Sequence, residues 1–266
     1  MVVVDDFTKV KPVFNFLEAE KLGVVAPKRC ERCAGCKSCS YQNDYVTWVE
    51  KRDLTEIEKG LTYVAEEKRW FCQYAMLGDP LDLPDNYNMC REMHHKLLKR
   101  LIKNNHKDAF NEAFMESVSR GVYVKMSDED KKYDGPINYI PLIEALKDGT
   151  GVTTPVRVCA NSSMKYKGVC LNDLMCKGPS SLNSQWDLLV KFRLHKIGLV
   201  MDIKKFYNTV LSVPRDMHLR RVLWSSEPGA EPDIYLTKTV NFGDRPAGCT
   251  AIVCLNKTAE IFGEEN

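Results

Sequence analysis

Seven residues constrain this chain of 266 more than any others: Lys196-Ile-Gly-Leu-Val-Met-Asp202, a short apolar run that ends on an acid. Apolar residues at consecutive positions over so short a length read as a buried strand, covered on both faces, whose end carries the acid to a site. The run is far shorter than the roughly 18 apolar residues of a membrane helix, and no run of that length occurs anywhere in the sequence, so no membrane span is expected. The patterns around it are mixed. "PVRVCANSS" (155–163) reads as a strand entering a polar turn, "MHLRRVLW" and "DIYLTKTVNFG" as two further strands, and "WFCQY" (70–74) as another, by its aromatic content. Pro179-Ser-Ser181 opens a helix with Leu182, Trp186, Leu189 and Val190 on one face, and Ala247 to Phe262 reads as a closing helix.

The first third of the chain reads differently. Residues 1–29 show little periodicity, and "LGDPLDLPDN" (77–86) is a loop by its Pro and Asp content. Thr55-Glu-Ile-Glu58 has capping-box spacing for a short helix that Gly60 ends. Residues 91–103 predict an amphipathic helix, with Met93, Leu97, Leu98, Leu101 and Ile102 at helical spacing and Lys96, Lys99, Arg100 and Lys103 on the rest of its surface. His94 and His95 are adjacent and diverge by about 100°, so they do not form an i, i+4 metal pair; a solvated face is expected for both. A second helix is expected over about 106–119, ending at Gly121. Together these elements predict an α+β fold, with α/β as the alternative.

Charge and cysteines narrow the chemistry. Net charge is only +2, but residues 155–221 hold twelve Lys/Arg against four Asp/Glu, a local +8 that leaves −6 for the remainder. Such asymmetry points to a polyanionic partner or, equally, to a solvated basic face. Eleven cysteines, an odd number, argue against a complete disulfide framework, and "MVVVDDFTKVKP" lacks the pattern of a secretory signal, so a reducing compartment is expected. Four thiols fall within ten residues at Cys30, Cys33, Cys36 and Cys39. They invite Zn²⁺ or an iron–sulfur cluster. Yet the C-x2-C-x2-C-x2-C spacing lacks both the ferredoxin last gap and the separated knuckles of zinc sites. Free thiols in a basic loop are the preferred reading and a bound Zn²⁺ the alternative.

An acid at the end of an apolar strand suits a divalent cation, because hard Mg²⁺ prefers oxygen ligands and two-metal phosphoryl transfer needs such carboxylates. In Met201-Asp202-Ile-Lys-Lys-Phe-Tyr207 the aromatic residue five positions on suits a nucleotide pocket. One acid alone is weak evidence, and a capping aspartate is the plainer reading of it.

The motifs taken in order say more. "PVRVCANSSMKYKGVCLNDLMCKGPSSLN", "FRLHKIGLVMDIKKFY", "HLRRVLW" and "VNFGDRP" together resemble the reverse transcriptase of Pao (Bel-Pao) LTR retrotransposons. Upstream, "FLEAEKLGVVAPKRCERCAGCKSCSY", "IEKGLTYVAEEKRW", "LPDN" and "FMESVSRGVYVKMSDED" resemble the same family's Pol polyprotein, including its connector between protease and polymerase. The resemblance covers nearly the whole chain from about residue 14. It implies a connector over 1–104, mostly helical and carrying the cysteine cluster at 30–39. It implies reverse transcriptase fingers and partial palm over 105–266, an incomplete polymerase right hand.

The resemblance also implies roles. Asp202 matches the first catalytic aspartate, a ligand of Mg²⁺, and the Ile203 carbonyl helps to hold one ion. Tyr207 matches the steric gate that crowds a ribose 2′-hydroxyl. Arg157 matches the fingers arginine that meets the incoming triphosphate, and Lys147 the fingers lysine. Phe242 and Gly243 match the turn beside the nascent base pair. The implied partners are an RNA or DNA template-primer, a deoxynucleoside triphosphate (dNTP) and the rest of the Pol polyprotein, in the cytoplasm or in virus-like particles.

The sequence departs from the family at three places. Leu142-Ile143 stand where it usually has two histidines, with Asp148 in place of a proline. Ala247-Gly248 follow "FGDRP" where the family has Ser-Pro. The Tyr-x-Asp-Asp hairpin, source of the other two metal-binding aspartates, does not occur before Asn266. The expectation is therefore a reverse transcriptase fragment that does not polymerise alone. The alternatives are a non-catalytic nucleic-acid-binding relic and a metal-binding interaction module built on the cysteine cluster.

Overall fold

The computed structural model describes residues 47–146, 156–180, 185–194 and 196–263, and groups residues 53–266 as one compact unit. Its elements mix helix and sheet, an α+β arrangement. Helix α1 (Trp48–Lys59) begins one capping box earlier than expected. Thr47 Oγ1 accepts from the Glu50 amide at 3.2 Å, and Glu50 Oε2 accepts from the Thr47 amide at 2.9 Å. Thr55 therefore lies inside the helix. Gly60 ends it, and only glycine fits there, because a Cβ would stand 2.1 Å from the Gln73 carbonyl oxygen.

Strands β1 (Leu61–Val64) and β2 (Arg69–Cys72) form an antiparallel hairpin, to which β6 (Leu211–Ser212) adds in parallel. A second sheet runs β3 (Tyr123–Lys125), β8 (Asp233–Thr237), β7 (Val222–Trp224), all antiparallel. A bridge between Leu211 and Thr239 links the two sheets. Strands β4 (Leu142–Leu146) and β5 (Val156–Ala160) pair antiparallel, with Ala145 opposite Arg157. The segment "MHLRRVLW" divides into a one-turn helix α5 (Pro214–His218) and β7, because Pro214 presets the first helical φ.

Helices α2 (Tyr87–Lys103) and α3 (Lys107–Ser119) cover the β3–β8–β7 sheet. Cys90, Leu97, Leu98 and Leu101 of α2 are buried at helical spacing, and so are Phe110 and Phe114 of α3. Phe114 stacks on Tyr123 at 5.1 Å and meets Tyr235 edge-on at 5.0 Å, while Phe110 lies 4.7 Å from Trp224. Gly121, at φ 72°, turns the chain out of α3 as its place after the helix suggested. "LPDN" anchors the start of α2: the Asn86 amide donates to the Tyr139 carbonyl at 2.8 Å and its carbonyl accepts from the Tyr139 amide at 2.9 Å.

Two sequence expectations are corrected. His94 is not on a solvated face but buried, edge-on to Trp224 at 5.5 Å, with both ring nitrogens unpaired in the interior. It occupies a core position of the α2 stripe, in line with Cys90, Leu97 and Leu98. The larger correction concerns "KIGLVMD". Helix α4 (Gln185–Arg193) precedes it and helix α6 (Ala247–Phe262) closes the unit, but residues 197–203 form neither strand nor helix. Ile197 is 80% exposed and Met201 91%. No described strand offers them a ladder, so the run that reads as most buried is among the most solvent-exposed.

Candidate nucleotide-binding surface

The turn Asn241 to Pro246, "NFGDRP", is held from beneath by a buried polar network. Asp244 accepts hydrogen bonds from the Tyr74 hydroxyl at 2.9 Å, Ser162 Oγ at 2.6 Å and Arg220 Nη1 at 2.8 Å. Arg220 is fully buried, its guanidinium 4.9 Å from the Tyr74 ring centroid. It also donates to the carbonyl of Thr239 at 2.9 Å, the carbonyl of Asp216 at 3.0 Å and the Ser212 hydroxyl. Burial opposes its charge, but Tyr74, Asp244 and Asp216 outweigh burial and hold its pKa above the ordinary value. Burial and the neighbouring Asp244 push the Tyr74 phenol well above its ordinary range, so it stays a donor. The network draws on β6, the β2–α2 loop, the β5–α4 loop, the α5–β7 turn and the turn itself. It thereby fixes where residues 241–246 sit.

Above that network the backbone is as tightly specified. Gly243 has φ 98°, and a Cβ on it would stand 2.5 Å from the Ala160 carbonyl at the end of β5. The Gly243 carbonyl accepts from Asn172 Nδ2 at 2.7 Å, and Asn172 Oδ1 accepts from the Arg245 amide at 2.9 Å. Phe242 is thus presented outward, 61% exposed.

Tyr207 reaches the same place from another direction. It lies in a one-turn 3₁₀ segment, Phe206–Thr209, entered through Lys205 in a left-handed conformation. Asn208 Nδ2 donates to Thr239 Oγ1 and the Val240 carbonyl, both at 3.1 Å, tying this turn to the chain just before Phe242. The half-buried Tyr207 ring packs 4.3 Å from the Phe242 ring, tilted by 56°. A Cβ on Gly248 would stand 3.8 Å from the Tyr207 hydroxyl. Tyr207 and the Phe242-Gly243 pair, far apart in sequence, therefore form one aromatic ledge with a glycine shoulder.

The remaining predicted residues are less gathered. Arg157 is exposed on β5, about 10 Å along the strand from Ala160, which touches Gly243. Asp202 and Ile203 are exposed on the segment that leads to Tyr207. Among the described residues no hydrogen bond, ion pair or ring contact joins Asp202 or Arg157 to Tyr207. Lys147 and the cysteines 30, 33, 36 and 39 lie outside the described residues. The Asp202 carboxylate and Ile203 carbonyl are hard oxygen donors of the kind Mg²⁺ takes. They would supply at most part of its six ligands, the rest coming from water or phosphate. Among the described residues no group of three His, Cys, Asp or Glu is placed to hold a metal ion.

The charge picture also changes with the structure. Of the twelve cations in residues 155–221, Arg220 and Arg221 are buried, and Arg215 is half-buried against Asp216 at 2.8 Å. Nine remain exposed, among them Arg157, Lys177, Lys191, Lys204 and Lys205. Sequence reading missed the Arg220–Asp244–Tyr74–Ser162 network altogether. The available signal was an arginine pair inside the apolar "HLRRVLW", since a cation amid strand residues needs a buried partner.

In comparisons with known proteins, no family model and no curated protein matches this chain. No described helix is long and apolar enough to cross a membrane.

Proposed function

We propose that residues 105–266 are the fingers and partial palm of a retrotransposon reverse transcriptase resembling those of Pao elements. They bind a template-primer and a dNTP rather than polymerise by themselves. The observation that carries this reading is the Tyr207–Phe242 ledge at 4.3 Å, shouldered by Gly243. Flat aromatic faces open to solvent suit a base or sugar, and Gly243, packed against the Ala160 carbonyl, holds the backbone of the turn in place beside them. In the proposed complex the Tyr207 ring crowds a 2′-hydroxyl and so favours the deoxy sugar. Arg157 meets triphosphate oxygens with its planar guanidinium. Asp202 and the Ile203 carbonyl would hold Mg²⁺, which supplies charge neutralisation of the phosphates when bound. Asp202 is the carboxylate of these residues matched to the polymerase palm.

The nine exposed cations of residues 155–221 favour a second reading: nucleic-acid binding without dNTP selection. Titration of a fluorescent deoxynucleotide and its ribonucleotide counterpart, with a short RNA–DNA duplex present, separates the two. The first reading expects preference for the deoxy form, reduced about tenfold or more in Tyr207→Ala. Equal, weak, strongly salt-dependent binding of both nucleotides would leave only the second. Primer extension that is lost in Asp202→Asn would overturn the claim that the chain does not polymerise alone.

A further inference from the structure

The apolar run before Asp202 has a property that nucleotide binding does not use. Ile197, Leu199, Val200 and Met201 are each at least 80% exposed, and no ladder partner for them exists among the described residues. The run folds back beside α4: a Cβ at Gly198 would stand 2.3 Å from Phe192 Cζ, so the glycine backbone lies under that ring. Trp186, Val190 and Phe192 of α4 are themselves exposed. Monomeric proteins rarely leave so continuous an apolar surface in water. An apolar segment whose amides donate to no described residue, with Ile197 and Val200 β-branched, is also what recruits another strand.

The charges that bracket the run choose the partner. Lys196 and Asp202 lie three residues to either side of Leu199. When two copies of the run pair antiparallel about Leu199, each Leu199 faces its counterpart and Ile197 faces Met201. Gly198 faces Val200, so the Phe192 ring over the glycine meets Val200 of the other copy, and Lys196 faces Asp202 at both ends. A parallel in-register pairing instead sets lysine against lysine and aspartate against aspartate. Opposite charges directly across a ladder stabilise it and like charges destabilise it. A two-fold axis through Leu199 makes the contact self-complementary and closed. We infer that this chain forms a homodimer through an antiparallel ladder of Lys196–Asp202 from each copy. The inference rests on exposure, apolar pattern and charge symmetry, and stands whether or not the surface binds nucleotide.

Sedimentation equilibrium of the full chain tests it, from low to high micromolar concentration and without nucleic acid. A monomer–dimer equilibrium is expected. Lys196→Asp alone sets acid against acid at both ends and should weaken dimerisation about tenfold, as should Asp202→Lys alone. Lys196→Asp with Asp202→Lys restores both opposite-charge pairs and should return the dissociation constant to within about two-fold of the original. Both positions are exposed, so unchanged circular dichroism confirms that the variants fold. A monomer throughout the range overturns the inference. So does a dimer indifferent to the single reversals, a double reversal that fails to restore, or open-ended association that ignores these charges.

Discussion

Asp244 and Asp202 both stand in short motifs of the same candidate surface, yet their surroundings are opposite. Asp244 is 7% exposed and accepts from a phenol, a serine hydroxyl and a guanidinium. Asp202 is on the surface, and among the described residues it makes no hydrogen bond or ion pair. The contrast extends to the neighbours. Gly243 is pinned against Ala160 and Asn172, whereas Ile197 to Met201 project into water. One half of the surface is over-determined by its interior; the other lacks any such support. A pre-organised half can position a ring for a base, while a carboxylate on an unsupported segment waits for an ion, a nucleotide or a second chain to fix it.

The largest expected effect is in the supported half. Asp244→Ala leaves the Arg220 guanidinium buried beside an unpaired phenol and hydroxyl. Breaking a buried ion pair in this way costs about 3–5 kcal/mol, a large share of the about 5–15 kcal/mol that holds a domain folded. Urea unfolding measures it. A loss under about 1 kcal/mol would mean that the turn is not held by this network and that the two halves are alike.

Acid should act next, on two histidines buried in the interior. Burial, with His95 adding to it and Glu231 opposing, lowers the His94 pKa from 6.5 to about 4. Burial and the Arg221 guanidinium, opposed by Asp130, lower His218 likewise to about 4. The folded state therefore binds fewer protons than the unfolded state between these values. Stability is full above pH 6.5, falls as pH drops from 6.5 to 4, and levels off below. For His94 the loss is about 3 kcal/mol. His94→Phe should flatten that part of the pH dependence in urea titrations; an unchanged slope would show that His94 is solvated, as its sequence context suggested.

Why these features were not legible in the residues is a matter of range. Helices α2, α3 and α6 and strands β2, β5 and β8 were legible because their apolar spacing is local, as at Leu97, Leu98 and Leu101. The cap of α1 was misplaced because Thr47 and Thr55 each have an acid three residues later, and only the observed helix start chooses between them. His94 could not be told from His95, since adjacent residues on a helix differ only in which one meets Trp224. The Tyr207–Phe242 contact joins residues 35 apart and Arg220–Asp244 residues 24 apart; both depend on how strands are laid side by side. "KIGLVMD" failed for the converse reason. Its pattern states what the segment needs, cover on both faces, and the described residues do not supply it.

A smaller, local change probes the shoulder of the ledge. Gly243→Ala puts a Cβ 2.5 Å from the Ala160 carbonyl at a φ of 98°, so the turn must shift. The expected cost is about 2 kcal/mol in urea unfolding, with Phe242 drawn off Tyr207. A change below about 0.5 kcal/mol would show that the turn has slack and that Phe242 is not fixed by it.

The smallest effect on stability belongs to Asp202, and it is the most informative about the unsupported half. Asp202→Asn removes one charge from an exposed side chain that, within a single chain, makes no hydrogen bond or ion pair to any described residue. Unfolding free energy should therefore stay within about 0.5 kcal/mol of the original. Ligand behaviour should not. If Asp202 and the Ile203 carbonyl hold Mg²⁺ beneath a bound triphosphate, adding Mg²⁺ should tighten dNTP binding in the original chain and do so far less in Asp202→Asn. Calcium in place of magnesium should give an intermediate result, because it accepts longer, less regular oxygen coordination. Equal Mg²⁺ dependence in both proteins would remove Asp202 from the nucleotide site and leave the Tyr207–Phe242 ledge to bind alone. A loss of stability above about 1 kcal/mol would instead mean that Asp202 has a structural partner, and the contrast with Asp244 would disappear.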